Sequence, residues 1–332
     1  MLAICIECSH QRGMGHLFRA LNLVSTLKEK REPCILLVNR DETALSILRE
    51  KNIMPVIVDL EDISSDWEGK LIREKKITVW LNDRLHTGIE TAEHVKAEKI
   101  PLFTIDDMGR GAALADGNFA SLIFEGRDSI PGKKVYAGSD YLILNPEIAR
   151  YRRKRDKLET ILVTLGGSDT YGVTLPVIDF LKNWEKETGV HKKVSILIGP
   201  GSRIREEAER AIEGTGFTLL SGVASLIELF SRFDFAITGG GVTALEAAAS
   251  GLPCMVVANE VHEIQIGQYL ERNGCALFAG YYKEMNPGRI KEMEEVGKIS
   301  EMSQRGPETV DLSGAERICS VIYTKAITSA KT

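Results

Sequence analysis

Three glycine-rich stretches mark where this sequence can do chemistry: RGMGH at 12–16, LGGSD at 165–169 and TGGGVTALE at 238–246. Glycine lets backbone approach a phosphate closely, and the free N–H groups at a helix start point at it. In the first stretch Gly13 and Gly15 lead into His16, which either reacts or simply closes the turn into a helix. Arg19 follows by three residues on the same helical face. There it orients the histidine, meets a phosphate, or makes an ordinary surface ion pair. In the second stretch Gly167, Ser168 and Asp169 offer a ligand contact or, through Asp169, a helix cap. In the third, Gly239, Gly240 and Gly241 can cradle a diphosphate, with a hydroxyl from Thr243. The Glu246 carboxylate can accept both hydroxyls of a ribose, but Thr243 to Glu246 is equally the spacing of a capping box. Asp106 and Asp107 end the run PLFTIDD and point at least one carboxylate toward a site, unless DDMG is only an Asx turn.

None of these loops is a correctly placed G-x-G-x-x-G, and none carries the Lys-Ser/Thr of a Walker loop. A dinucleotide cofactor and phosphoryl transfer from ATP are therefore disfavoured. No D-x-D manganese motif is present either, since the acids at 106–107 are adjacent; no metal and no cofactor are expected. A net charge of −5 argues against a nucleic-acid partner. The basic run RYRRKRDK (150–157) reads as a solvated interdomain linker. The start, MLAICIECSH, lacks the basic opening and long apolar core of a signal peptide and reads as a first strand. No window reaches the roughly 18 apolar residues of a membrane span. Cys5-x-x-Cys8 falls in that strand with no second pair. The six cysteines are thus expected to be buried thiols of a cytoplasmic protein. Nothing in the sequence fixes the oligomeric state.

At 332 residues the chain should form about two domains. Apolar runs alternate with helical patterns: LAICIEC (2–8), CILLVN (34–39), MPVIVD (54–59), KITVWLN (76–82), PLFTIDD (101–107) and SLIFEG (121–126) as strands, with helices to Leu27, from Thr43 to Lys51 and from Ile89 to Glu98. The pattern restarts after the basic run. TILVTLGG (160–167), KVSILIGPG (193–201), FTLLSG (217–222), FAITGGG (235–241) and PCMVVAN (253–259) read as strands, separated by helical segments, and the tail from Pro287 to Ala330 as largely helical. Such alternation favours parallel sheets covered on both faces. The expected architecture is α/β: two doubly wound, Rossmann-like domains facing across a cleft. The expected bounds are 1–148, a linker at 149–158, 159–312, and a last helix at 313–332 able to cross back to the first domain.

GGGVTALEAAASGLPCMVV, with HEIQIGQYLERNG downstream, resembles the nucleotide-sugar half of GT-B fold enzymes, including the MurG-type glycosyltransferases. RGMGHLFRALNL, IDDMGRG, YAGSDYLILNPEI and LVTLGGSD, in that order, resemble the PseG/SpsG family. These are the UDP-sugar hydrolase of pseudaminic acid biosynthesis and its spore-coat polysaccharide relatives. The resemblance runs from about residue 3 to about residue 280. It implies that water displaces UDP from the anomeric carbon of an amino-deoxy sugar, without a metal. His16 would be the general base, suited by an imidazole's ordinary pKa. Gly240, Gly241 and Thr243 would hold the diphosphate, Glu246 the ribose, and the backbone at Val223 the uracil. Asp106 and Asp107 would lie near the sugar, one of them tuning His16.

The resemblance weakens on the sugar side. Relatives carry Arg-x-Asp where this chain has Cys5-Ile6-Glu7, and Asp-x-Tyr where it has Asn82-Asp83-Arg84. An Asn-Gln pair becomes His262-Glu263, where a histidine resembles the MurG-type enzymes and can meet phosphate or sugar. A glycosyltransferase on the same fold and an inactive nucleotide-sugar-binding module are the competing expectations. The acidic stretch DLEDISSDWEGK (59–70) lacks the apolar, basic face suited to a lipid acceptor and favours the hydrolase.

Overall fold

A computed structural model describes residues 1–8, 14–122, 129–166, 169, 171–199, 202–223 and 225–329. The chain divides into two compact units, Met1–Asn145 with Leu312–Thr332, and Pro146–Asp311.

The first unit is built on seven strands: β1 (Leu2–Ile6), β2 (Cys34–Val38), β3 (Val56–Ile57), β4 (Val79–Asp83), β5 (Leu102–Ile105), β6 (Gly117–Ala120) and β7 (Val135–Ala137). All pair in parallel, in the order β3-β2-β1-β4-β5-β6-β7. Four helices connect them: α1 (Gly15–Glu29), α2 (Glu42–Glu50), α3 (Trp67–Lys75) and α4 (Ile89–Ala97). Every residue of β1 is buried, because the two-residue period of a strand feeds two cores. Leu2, Ile4 and Ile6 pack with Leu17, Leu23 and Leu27 of α1. Ala3 and Cys5 pack with Trp80 and with Ile72, Ala92 and Val95 of α3 and α4. Burial pushes the Cys5 and Cys8 thiols up to about 12, which leaves both protonated and unreactive at neutral pH.

Two readings of this unit change. The strand expected at SLIFEG lies earlier, at β6, because Gly117–Ala120 are captured between β5 and β7; Ser121 and Leu122 form a turn, and 123–128 fall outside the described residues. The acidic 59–70 stretch hides the start of α3, whose entry is capped by Asp66 accepting the Gly69 N–H at 3.0 Å. Trp67, Leu71 and Ile72 turn its apolar face to the core.

The second unit opens with the short α5 (Ile148–Tyr151) and carries β8 (Thr160–Thr164), β9 (Lys193–Leu197), β10 (Thr218–Leu220), β11 (Phe235–Gly239), β12 (Cys254–Ala258) and β13 (Ala276–Tyr281). These form a parallel sheet in the order β10-β9-β8-β11-β12-β13, the same winding as the first. Its helices are α6 (Thr174–Thr188), α7 (Arg205–Ala211), α8 (Leu226–Phe230), α9 (Val242–Ala249), α10 (Ile264–Arg272) and α11 (Lys298–Thr309).

The basic run is not a solvated linker. Arg155 is fully buried and donates to the carbonyls of Phe230, Phe233, Arg153 and Ser250 at 2.7–3.0 Å. Arg152 donates to Ala249 O, and Arg153 to Ser231 O and Phe233 O. Helix ends leave their last carbonyls without intrahelical partners, and these guanidinium groups satisfy the ends of α8 and α9. Burial, with Arg153 close by, lowers the Arg155 pKa to about 9.

The last helix, α12 (Gly314–Ser329), belongs to the first unit, where Ala315, Ile318, Cys319 and Ile322 join the α1 side of its core. Gly314 permits that approach, since a Cβ there would lie 2.0 Å from Leu142 O. Among the described residues no helix is long and apolar enough to cross a membrane.

Candidate active site

In a doubly wound sheet, ligands gather beyond the carboxyl ends of the strands where the strand order reverses. In the first unit that point lies between β1 and β4, paired in register with Ile6 opposite Asp83. The loop after β1 leads into α1, so His16, in the first turn of that helix, meets the last residue of β4. The His16 Nδ1 lies 2.6 Å from Asp83 Oδ1. Arg19 donates from Nε to Asp83 Oδ2 at 2.9 Å, from Nη2 to Asp83 Oδ1, and from Nη1 to Asp106 Oδ2. Ser121 Oγ and the Leu122 N–H also donate to Asp106.

Asp83 is buried, which by itself would raise its pKa. The Arg19 charge and the hydrogen bonds from His16 and Arg19 outweigh burial and hold the carboxyl below its usual range. Burial likewise opposes the charge on Arg19, and the two aspartates overcome it, so the guanidinium stays protonated. A permanent carboxylate therefore faces Nδ1. A neutral imidazole donating Nδ1–H to it keeps the Nε2 lone pair outward. His16 retains 21% side-chain exposure, enough to meet water.

Asp106 adopts φ +48°, a left-handed turn that aspartate tolerates better than most residues. That turn sends the two neighbouring carboxylates in different directions. Asp106 reaches Arg19, and so bears on His16 only through it. Asp107 is completely buried, accepting from the Thr87 N–H, the Thr87 hydroxyl and the Gly109 N–H. It clasps the DDMG loop, with the Gly109 N–H closing the Asx turn that was the alternative to a sugar contact. Gly15 begins α1, while Gly13, Gly167 and Ser168 lie outside the described residues.

In the second unit the equivalent reversal lies between β8 and β11. Gly239–Gly241 run from β11 into α9, with Gly241 at the helix cap. Because the helix starts at Val242, Thr243 is already inside it, and no side chain caps that end. The capping-box alternative for Thr243 and Glu246 is thus absent. Glu246 is half-buried, forms no hydrogen bond or ion pair among the described residues, and burial raises its pKa to about 7. Val223 lies on the exposed loop after β10, at the same edge of the sheet.

Asp169 takes the helix-cap alternative, and Glu263 supports the loops beside it. Both Asp169 oxygens accept N–H groups at the entrance of α6, from Val173 at 2.9 Å and Thr174 at 3.0 Å. Glu263 Oε2 accepts from the N–H groups of Asn259 at 2.7 Å, Gly240 at 3.2 Å and Glu260 at 3.4 Å, tying the β11 and β12 loops together. Gly240 is required there, since a Cβ would fall 2.7 Å from Glu263 Cβ. His262 is exposed on the same turn.

The raised pKa of Glu246 makes a test of its isolation. A carboxyl whose folded pKa stands above its unfolded 4.5 destabilises the fold progressively as pH rises from about 4.5, and fully above about 7. Glu246→Gln removes that cost. It should stabilise the protein by about 3 kcal/mol at pH 8 and by well under about 1 kcal/mol at pH 4.5. Denaturant midpoints at the two pH values measure this, and an equal shift at both would mean that Glu246 has a partner.

No family model matches the chain. The spore coat polysaccharide biosynthesis protein SpsG of Bacillus subtilis (strain 168) is 27% identical over 290 residues, spanning 84% of this chain and 83% of that protein. MurG of Acinetobacter baumannii superposes with a TM-score of 0.70 at 14% identity, over 97% of this chain and 99% of that one. In sequence this chain is similar to SpsG, and its fold is the GT-B fold. A UDP-GlcNAc 2-epimerase from Neisseria meningitidis, solved bound to UDP-GlcNAc, shares the fold with a TM-score of 0.64 at 12% identity, over 98% and 100% of the two chains.

The partner of His16 that local sequence did not single out is Asp83. Its only signal was an acid closing the fourth apolar run, and only the β1–β4 pairing gives that signal meaning. Next to Asp83, Arg84 Nε lies 3.8 Å from Glu7 Oε2. Asn82 is internal, bridging Trp80 Nε1 and the Thr87 hydroxyl.

Proposed function

We propose that the protein hydrolyses a nucleotide-linked sugar, releasing UDP from a UDP-linked amino-deoxy sugar by attack of water at the anomeric carbon. The carrying observation is the His16–Asp83 pair. His16 Nε2 takes a proton from water as the oxygen bonds to the anomeric carbon, and the bond from that carbon to the diphosphate breaks. Asp83, ionised and fixed by Arg19, orients the ring and stabilises the imidazolium. The departing diphosphate carries the developing charge. It meets the first-turn N–H groups of α9 from Gly241 onward and the Thr243 hydroxyl, the Gly240 N–H being engaged by Glu263. Glu246, without a hydrogen-bond or ion-pair partner among the described residues, accepts the ribose hydroxyls.

Phosphorus NMR of the purified protein with UDP-linked acetamido-deoxy sugars, in the absence of any acceptor, tests this reading. Release of UDP supports hydrolysis. Tight binding without release would replace it with a glycosyltransferase awaiting an acceptor hydroxyl, and absence of binding would overturn the nucleotide reading itself.

A further inference from the structure

A second feature of the first unit lies at the carboxyl edge of β1 to β4, beside the pair just described. A cavity of about 510 Å³ opens there, with Glu7 and Arg84 among its walls and Arg40, Asp59 and Glu61 at exposed positions on its lining. That volume is in the range of small-ligand sites. Glu7 and Arg84 directly follow the paired residues Ile6 and Asp83, so strand register brings them together. Arg84 is only 8% exposed, yet its Nε is buried without a hydrogen-bond partner, and the guanidinium donates to no described residue. Glu7 Oε2, at 3.8 Å, is within ion-pair range but beyond hydrogen-bond length. Asn39, which also lines the cavity, spends its amide on the Cys8 backbone at 2.6 and 2.9 Å.

A guanidinium offers five N–H donors in a rigid fork, and leaving buried charged donors unmet is costly. The unmet Nε–H calls for an oxygen acceptor supplied by a ligand. Charge narrows its class: among the described residues the lining sets three carboxylates against two guanidinium groups, which disfavours an anion. A hydroxyl both accepts and donates, so two adjacent hydroxyls satisfy a guanidinium and a carboxylate at once.

We propose that this cavity seats an uncharged polyhydroxylated ring through a pair of neighbouring hydroxyls, whose oxygens accept from Arg84 and one of which donates to Glu7. Taking that ring as the sugar of the substrate rests on the function proposed above; the ligand class rests on the cavity alone. The inference then requires that the sugar keep two adjacent free hydroxyls.

Arginine labelled with nitrogen-15 gives an Nε–Hε resonance for Arg84, assigned by its loss in Arg84→Lys. The probes are the methyl glycosides of glucose, galactose and mannose, a 3,4-dideoxy analogue of each, and inorganic phosphate. At least one glycoside should move the Arg84 resonance saturably with a Kd on the order of millimolar. Its dideoxy analogue and phosphate should bind about tenfold more weakly or not at all, and Glu7→Gln should weaken the glycoside by about fivefold. No response to any glycoside, an equal response to the dideoxy analogues, or a stronger response to phosphate overturns the inference. UDP added to the same samples reports on the nucleotide reading separately, because the Arg84 response does not depend on it.

Discussion

His16→Ala should lower turnover of the UDP-sugar by about 10²-fold or more while UDP affinity stays within about twofold of wild type. The two effects separate because His16 belongs to the first unit, whereas the proposed diphosphate and ribose contacts belong to α9 and its entry loop in the second. The substitution removes a proton acceptor and little else. Asp83 keeps both bonds from Arg19, and Arg19 keeps Asp106, so the buried charges stay compensated and the fold should survive. UDP release followed by phosphorus NMR, beside calorimetric titration with UDP, measures both quantities. Undiminished turnover with intact binding would reduce His16 to a residue that closes a helix entry.

Asp83 should give the larger structural effect. Asp83→Ala leaves Arg19 half-compensated in a buried setting, and removing one partner of such a pair typically costs about 3–5 kcal/mol. Denaturant unfolding should register that loss. The sign of its pH dependence follows from the depressed carboxyl. Asp83 contributes in full above its unfolded value of about 3.8 and loses its contribution as pH falls through the lower folded value. The gap between wild type and Asp83→Ala should therefore persist at pH 7 and narrow only below about pH 4. Asp83→Asn keeps the shape and removes the charge. It should spare more stability than the alanine yet still lower turnover by about 10²-fold or more, because an amide neither fixes the imidazole tautomer nor stabilises its cation. Near-wild-type turnover in Asp83→Asn would show that the His16–Asp83 contact only anchors α1.

Much of the architecture was legible because local patterns carry it. Runs such as LAICI and TILVT are mostly apolar and carry no charge, as strands covered on both faces do, and their alternation with helical patterns implies parallel sheets. The failures were places where an apolar or charged run has more than one solution. FASLIF offered two strand registers, settled by neighbours fifteen or so residues away in either direction. RYRRKRDK looked solvated because sequence does not show that the ends of α8 and α9 present carbonyls to it. The acidic 59–70 stretch hid α3, since its apolar residues are too few to show periodicity before Trp67.

For the site, residue type and local spacing were enough to select His16, Arg19, Asp106 and the Gly239–Glu246 loop, because glycines before a helix and a carboxylate one turn inside it are local facts. Partnership was not local. Asp83 became the partner of His16, 67 residues away, only through the β1–β4 pairing. Asp107, Asp169 and Glu263 looked the same in sequence as carboxylates free for a ligand. In the tertiary structure each accepts backbone N–H groups, which would be costly to leave buried without an acceptor.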